Sequence, residues 1–320
     1  MQSSERITRI CEILQQATRH TRVLSHLAWD GAVREAFFAN GALALPEVTY
    51  PTFDDAAVRE ALSAARQLMQ SSSIDRWLER QAVAIEHSAD MLLSCGTQDF
   101  YRHSSALYGA PGDYLIDQRS TALTLASDFE DALAQLDGLN SRYLIEESVS
   151  SEQLAAQIEL AVVEKFGDDA PQVQLVDELS ANALAGRERI RVRRGAKFND
   201  KDIDQLIHHE AGVHVATSLN GMYQSDLPIL GSSHAGTTRT QEGIAVFSEF
   251  ITGSMDLERL RRLSDRTLAI QMAADGADFL EVYQYFLERT DSQNQSFENA
   301  RRVFRGGVLT GGAPFTKDIV

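Results

Sequence analysis

His209-Glu210-Ala211-Gly212-Val213-His214 is the stretch of sequence on which the interpretation of this chain depends. Two histidines that flank a glutamate on one helix are typical of sites that hold a metal ion beside a general base. The common motif has two residues between the glutamate and the second histidine, whereas three intervene here. On a regular α-helix, five steps of about 100° set the histidines roughly 140° apart. Both can reach one ion only where the helix is under-wound, as in a π-bulge, or ends between them.

Gly212 lies inside the interval that must depart from regular helix geometry. Glycine accepts backbone angles that other residues resist, so it lowers the free-energy cost of such a departure. The alternative interpretation is a pair of capped or solvent-facing histidines that bind no metal. The motif alone therefore indicates a metal site without establishing one.

The residues around the motif predict the helix that carries it. Phe198-Asn199-Asp200 is typical of a helix N-terminus, with Asn199 as the capping residue. Apolar residues then recur at helical spacing as far as Asn220-Gly221, a typical stop signal. The apolar positions are Ile203, Leu206, Ile207, Ala211 and Val213.

A catalytic zinc site needs a third protein ligand and one open position, and two downstream glutamates are candidates for that ligand. Glu242 and Glu249 lie in a predicted helix, from about residue 240 to 251, that is otherwise apolar on nearly every side. This composition predicts a buried helix, in which an unpaired carboxylate is unfavourable. Because the two acids are seven residues apart, they share one face, so Glu242 can bind the metal while Glu249 orients a ligand histidine. Attraction to the helix dipole is an alternative explanation for Glu242 but not for Glu249.

The first half of the chain predicts a layer of helices. From about residue 4 to residue 147, apolar residues recur every three or four positions, for example over 58–69 and 74–93. This spacing is typical of amphipathic helices. We expect residues 1–148 to form an N-terminal helical region.

The pattern changes after residue 167. The segments 173–176 and 189–193 alternate apolar and polar residues, as half-buried strands do. We expect residues 149–320 to form the catalytic region, with a small β-sheet before the metal motif. The predicted fold class is therefore α+β and predominantly α-helical.

The composition argues against several classes of function. A formal net charge of −16 repels nucleic acid and anionic membranes, and the chain has no basic stripe with interleaved aromatic residues. No stretch approaches the roughly 20 apolar residues of a membrane span, and the N-terminus lacks the layout of a secretory signal. Cys11 and Cys95 are not spaced like disulfide or metal ligands, so both are expected to be buried free thiols. We expect a cytoplasmic protein that binds neither nucleic acid nor membrane; the oligomeric state stays open.

Further segments follow the histidine motif in a fixed order. They are Gln241-Glu242-Gly243-Ile244-Ala245-Val246-Phe247, Arg302-Val303-Phe304-Arg305-Gly306-Gly307 and Phe315-Thr316-Lys317-Asp318. Together with the histidine motif, they resemble the microtubule-associated tyrosine carboxypeptidases and their bacterial relatives, the QEGLA-motif proteins. The resemblance extends back through Gly186-Arg187, Leu107-Tyr108-Gly109 and Gly96-Thr97-Gln98-Asp99-Phe100. It covers about two-thirds of the chain, and the first ninety residues match more loosely.

The resemblance implies a zincin-like metallopeptidase core and a zinc-dependent carboxypeptidase with one Zn²⁺ per chain. Carried over residue by residue, His209, His214 and Glu242 correspond to the zinc ligands, and Glu210 corresponds to the catalytic glutamate. The implied reaction removes a C-terminal residue, tyrosine or another aromatic, from a peptide or protein by attack of zinc-activated water. The tubulin-tail activity of eukaryotic relatives need not transfer, because pocket shape decides the substrate. Relatives are expected to continue beyond the Phe315-Thr316-Lys317-Asp318 segment, so a further C-terminal segment stays an open alternative.

A carboxypeptidase also needs a cation for the terminal carboxylate of its substrate and a hydrogen-bond donor for the oxyanion. The candidate cations, which lie among glycine-rich segments, are Arg302, Arg305 and Lys317. The candidate oxyanion donors are His208, Tyr223 and His234. The sequence does not choose among the donors, and ordinary surface cations are an equal alternative for the first set. The histidines expected to be structural or superficial are His20, His26, His87 and His103.

Two other functions use the same zinc ligands. A non-catalytic regulatory or binding protein keeps zinc as a structural clip, but this alternative gives no role to Glu210, and neither cysteine lies nearby to complete a structural site. A zinc amidase or endopeptidase keeps the full site but needs no cation for a terminal carboxylate.

Overall fold

A computed structural model describes residues 3–137, 148–177, 179, 182–186, 188–232, 235–290 and 292–319. Within these ranges most residues are helical, and the strands are short. The predicted class, α+β with helix predominant and a small sheet, is confirmed.

The α-helices of the described residues are α1 (Ser3–His20), α2 (Val23–His26), α3 (Gly31–Ala39), α4 (Ala56–Leu68), α5 (Ser73–Leu93), α6 (Asp99–Tyr108), α7 (Ala122–Asp137), α8 (Ser151–Phe166), α9 (Asp200–Leu206), α10 (Ala216–Met222), α11 (Ala235–Ile251), α12 (Leu257–Ala274), α13 (Phe279–Leu287) and α14 (Gln293–Phe304). Among them, α11 carries Glu242 and Glu249 of the proposed metal site. A π-helical segment, Ile207–Val215, joins α9 to α10. The predicted helices 58–69 and 74–93 correspond to α4 and α5, and both predictions are confirmed.

The chain divides into two compact units. Unit 1 contains Met1–Asp131, His234–Gly236 and Arg261–Val320, and unit 2 contains Ala132–Ser233 and Thr237–Leu260. The division into regions 1–148 and 149–320 stays a prediction about domain boundaries.

Unit 1 is built on aromatic side chains from helices that are distant in sequence. Phe37 of α3 contacts the rings of Phe279, Tyr283 and Phe297 at centroid distances between 5.1 and 5.5 Å. The pairs with Phe279 and Tyr283 are edge-on, and such ring pairs add to the free energy of apolar burial. A second cluster in the same unit joins α5 and α6 to Phe315.

Unit 2 contains the two small sheets that precede the motif. In one, β2 (Gln172–Val176) pairs in parallel with β4 (Arg189–Arg193), which pairs antiparallel with β3 (Ala183–Ala185). In the other, β1 (Val149–Ser150) pairs antiparallel with β5 (Lys197–Phe198). The predicted strands and their place before the motif are confirmed.

The sheet and helix α8 form the support beneath the motif helix. Ile190 and Val192 are buried on one face of β4, as the alternating pattern predicts. They join a cluster that includes Leu154 and Ile158 of α8 and Ala211 of the π-helical segment. The apolar residues of the motif therefore pack the π-helical segment against α8 and β4.

The predicted burial of the helix over residues 240–251 is wrong for much of its surface. Within α11, Ala245 and Glu249 are fully buried, but Phe247 is 59% exposed and Phe250 is 69% exposed. The physical reason is that only one face of α11 packs, and composition does not show which face that is. The apolar residues that remain exposed on the helix are Ile244, Phe247, Phe250 and Ile251.

The two cysteines are free thiols, as predicted. Cys11 is buried, whereas Cys95 is half-buried, and burial raises the pKa of Cys95 to about 12. No helix of the described residues is both long enough and apolar enough to cross a bilayer.

Candidate metal centre

The extra residue of the motif is accommodated by a change of helix type. Ile207–Val215 has π-helical hydrogen bonding, so residues five apart lie one above the other. His209 and His214 consequently lie on one face, with ring centroids 5.0 Å apart. The sequence allowed either an under-wound helix or a helix that ends between the two histidines. The under-wound helix is confirmed, because the π-helical segment continues into α10.

Gly212 does not use the conformational freedom that was predicted for it. Its φ lies outside the left-handed region, and an added Cβ would meet the Ile207 carbonyl oxygen at 3.6 Å, an ordinary contact. The π-helical segment is therefore fixed by the packing of its neighbours and not by glycine at this position.

Helix α11 brings a carboxylate to the two imidazoles. The Glu242 Oε2 atom lies 3.6 Å from His209 Nε2 and 3.9 Å from His214 Nε2. One ligand atom from each of the three residues lies within 4.8 Å of the other two. This compactness suits a single shared ion.

Glu249 lies on the same face of α11 as Glu242, seven residues further along the helix, and contacts the Nδ1 side of the His209 ring. Its Oε1 atom is 2.6 Å from His209 Nδ1, so the imidazole donates this hydrogen bond and directs its Nε2 atom towards Glu242. Gln205 donates a further hydrogen bond to Glu249 across 3.1 Å. Arg259 donates two, across 2.8 and 2.9 Å.

The charges around Glu249 keep it ionised. Burial acts to raise the pKa of Glu249, but the hydrogen bonds from His209 and Arg259 outweigh burial and lower the pKa to about 2. Burial likewise acts to lower the pKa of His209, but Glu242 and Glu249 outweigh it and raise the pKa to about 9. The pocket therefore favours positive charge at the position between the imidazoles and Glu242.

His214 is oriented by an amide instead of a carboxylate. Its Nδ1 atom lies 3.3 Å from Gln241 Oε1, and the Gln241 amide donates to the Thr237 hydroxyl across 3.1 Å. The imidazole therefore donates from Nδ1, and its Nε2 atom keeps a lone pair on the side of Glu242.

Glu210, between the two histidines of the motif, is hydrogen-bonded to strand β3. The backbone N–H of Ala185, on β3, donates to Glu210 Oε2 across 2.8 Å. The carboxylate is largely buried. One backbone amide thus fixes the glutamate that the motif places between the histidines.

The donor set fits zinc. Two imidazole nitrogens and one carboxylate oxygen form one of the ligand combinations of catalytic zinc sites, which leave a fourth position open. Both Nδ1 atoms lie beside hydrogen-bond acceptors, so both imidazoles present Nε2 to a cation, which would displace the proton that Glu242 and Glu249 stabilise on His209. His209, His214 and Glu242 are the residues that would hold the ion.

A sequence profile described as "Microtubule-associated tyrosine carboxypeptidase" matches residues 35–320. The chain belongs to this family. The match covers more of the chain than the two-thirds expected from the motifs, and it includes most of the first ninety residues. Membership in the microtubule-associated tyrosine carboxypeptidase family implies a carboxypeptidase-type hydrolase. A search of curated proteins returns no match to the chain.

The candidate oxyanion donors lie in different surroundings. His208 is half-buried next to the motif. Tyr223 is 66% exposed, and its hydroxyl donates to Asp169, which raises the pKa of Tyr223 through hydrogen bonding. His234 lies outside the described residues. The oxyanion donor of this family member stays a prediction.

The candidate cations lie in unit 1, where they surround Asp318. Arg302 Nε donates to Asp318 Oδ2 across 2.9 Å. Arg305 is only 7% exposed, lies 3.6 Å from the same oxygen and covers the ring of Phe315. Burial lowers the pKa of Arg305 to about 10. Arg305 thus neutralises an internal carboxylate, and the binding of a substrate carboxylate by Arg302, Arg305 or Lys317 stays a prediction.

Sequence reasoning missed the groups that position the cluster. Arg259, Gln205 and the Ala185 amide were not among its candidates, although all three bond directly to Glu249 or Glu210. Gln241 was quoted as part of a motif without a role. The position of Gln241 next to Glu242, a candidate ligand, was a signal in the sequence that could have indicated its role. No such signal existed for Arg259, because the turn between α11 and α12 decides that Arg259 meets Glu249.

Proposed function

We propose that this protein is a zinc-dependent carboxypeptidase with a zincin-like site, in which His209, His214 and Glu242 hold the ion. The observation that supports the proposal is the convergence of two imidazole nitrogens and one carboxylate oxygen within 4.8 Å of one another. When bound, zinc acts as a Lewis acid that polarises a scissile carbonyl and makes water nucleophilic near neutral pH. Membership of the carboxypeptidase family supports the exopeptidase reaction.

Glu210 is the general base in this proposal. Its carboxylate takes a proton from the attacking water and returns it to the leaving amine. The hydrogen bond from the Ala185 amide restricts rotation of the Glu210 side chain. The proposed substrate is the C-terminus of a peptide or protein, with an aromatic last residue suggested by the family name.

The decisive experiment separates metal binding from turnover. We expect zinc in the purified protein, measured by elemental analysis, to decrease by about one ion per chain in His209→Ala and to stay unchanged in Glu210→Gln. Glutamine keeps the oxygen that accepts from Ala185, so the geometry of the site survives in Glu210→Gln while the base is lost. Peptide trimming, followed by mass spectrometry, should stop in both variants.

Two controls make the result specific. Glu164→Gln removes an exposed carboxylate of the same unit and should leave zinc content and trimming unchanged. Peptides with an amidated C-terminus should resist a carboxypeptidase but not an endopeptidase. Equal zinc content in the unmodified protein and in His209→Ala would contradict the proposed site, and cleavage of amidated peptides at internal bonds would contradict the exopeptidase reaction.

A further inference from the structure

Helices α5 and α6 carry a second group of metal-ligand side chains, in unit 1. His87 and Asp90 are three residues apart on α5 and therefore share one face of that helix. His103 of α6 faces them. One ligand atom from each residue lies within 4.8 Å of the other two.

The distances within this group suit a bound ion. His87 Nδ1 and His103 Nδ1 are 3.3 Å apart. Two nitrogens that bind one tetrahedral zinc ion at about 2.0–2.1 Å are themselves about 3.3–3.4 Å apart. His103 Nδ1 lies 4.0 Å from Asp90 Oδ2, which is close to the 3.6 and 3.9 Å separations around Glu242. The second group is thus as compact as the first.

The surroundings leave the ligand atoms available. Burial lowers the pKa of His103, which is the direction that favours the neutral imidazole. Arg59 donates to Asp90 Oδ1, which orients the carboxylate without occupying Oδ2. Asp90 and His87 are only half-buried, so an ion can enter from solvent.

We propose that His87, Asp90 and His103 form a second transition-metal site, which takes zinc or a related ion such as cobalt or nickel. Two imidazoles and one carboxylate are ligands that these ions prefer. The ion would connect α5 to α6 and leave a fourth position for water. This site is independent of the proposed catalytic site, since its three residues all belong to unit 1.

A hydrogen-bonded histidine pair is the competing explanation of the same contact. Arg102 lies 3.1 Å from His103 Nε2 and can donate to it, which places the imidazole proton on Nδ1, facing His87. Metal binding at His103 Nδ1 requires the other tautomer, with the proton on Nε2. Arg102 is largely exposed, at 71% of its side chain, so it can turn away when the tautomer changes.

The experiment is a zinc titration of chelator-stripped protein against a chromophoric competitor, with His209→Ala as the starting protein. We expect this protein to bind about one zinc ion per chain. Adding His87→Gln should remove that ion, and adding His20→Gln, which changes an exposed histidine at the end of α1, should not. His103→Gln should have the same effect as His87→Gln. If the His103→Gln protein fails to fold because this position is buried, the result for His87→Gln, at a half-buried position, decides.

Arg102→Ala tests the tautomer argument separately. Removal of the competing donor should tighten zinc binding by about twofold to tenfold, the effect of one hydrogen bond of ordinary strength. The proposal is overturned if the His209→Ala protein binds no zinc, or if it binds zinc equally well with and without His87→Gln. In either case the two histidines are a hydrogen-bonded pair only.

Discussion

Glu249 is the residue on which the geometry of the proposed site depends most. Its carboxylate is fully buried, and such a group is stable only when its oxygens accept hydrogen bonds from charged or polar donors. His209, Arg259 and Gln205 provide these donors. The arrangement aligns one imidazole with the metal position and explains why a carboxylate occurs twice on one face of α11.

Substitution of Glu249 by glutamine should therefore weaken metal binding without removing a ligand. We expect zinc affinity to decrease about 10–100-fold, because the charge that orients His209 is lost. The free energy of unfolding should also decrease, by about 3–5 kcal/mol, since Arg259 would be left buried without its partner. Competition titration and urea unfolding measure the two effects.

The control for this substitution is Glu164→Gln, which changes an exposed carboxylate on α8. It should alter neither the affinity nor the urea midpoint. Zinc affinity in Glu249→Gln equal to that of the unmodified protein would show that His209 is oriented by other contacts.

At the scale of elements, the π-helical segment is the feature that makes an unusual spacing workable. An insertion of one residue into a regular helix rotates everything after it by about 100°, whereas a π-helical segment absorbs the insertion locally. The segment rests on α8 and β4 through Ala211 and Val215, so tertiary contacts stabilise its weaker hydrogen-bond geometry. The motif and its support are therefore one structural unit.

Two glycines of this helix should respond oppositely to alanine. At Gly212 an added Cβ makes ordinary contacts, so Gly212→Ala should change the free energy of unfolding by no more than about 1 kcal/mol, on the stabilising side. At Gly221 the Cβ would lie 2.1 Å from the Leu230 carbonyl oxygen, so Gly221→Ala should destabilise by about 3 kcal/mol or more. Urea unfolding of the two variants provides the comparison.

Each glycine variant is the control for the other, since both change the same atoms on one continuous helix. Zinc content should be retained in Gly212→Ala. Loss of stability in Gly212→Ala comparable to that in Gly221→Ala would show that the π-helical segment needs glycine after all.

At the scale of the whole molecule, the excess of acidic residues determines which substrates approach easily. A formal net charge of −16 produces a field that repels acidic peptides over distances of a Debye length, about 30 Å at 0.01 M salt and about 10 Å at 0.1 M. The field acts on encounter and not on the chemistry at Glu210. We therefore expect the field to change kcat/KM more than it changes kcat.

The salt dependence of trimming tests this expectation. Two peptides with the same last residues, one preceded by lysines and one by glutamates, should differ in kcat/KM by about tenfold or more at low salt. The difference should narrow as the salt concentration rises, because screening removes the field. A preference for the acidic peptide at low salt would point to a local basic surface that overrides the net charge.

Local features of the sequence determined much of this fold. Asn199 forms the predicted capping interaction with the backbone N–H of Asp202, because capping depends on residues three positions apart. The alternation in β4 and the helical spacing of α4 and α5 were also predictable from the sequence, since each pattern reflects the period of a single element. The same periodicity placed Glu242 and Glu249 on one face of α11.

Only the tertiary structure decided which groups meet. Periodicity describes an element by itself, so it could not show that α11 leaves Phe247 exposed, that Ala185 donates to Glu210, or that Arg259 pairs with Glu249. It also left His87 and His103 as two ordinary histidines on separate helices. These contacts join residues that are far apart in sequence or separated by a turn, and their energies come from the burial and charge that the packed chain creates.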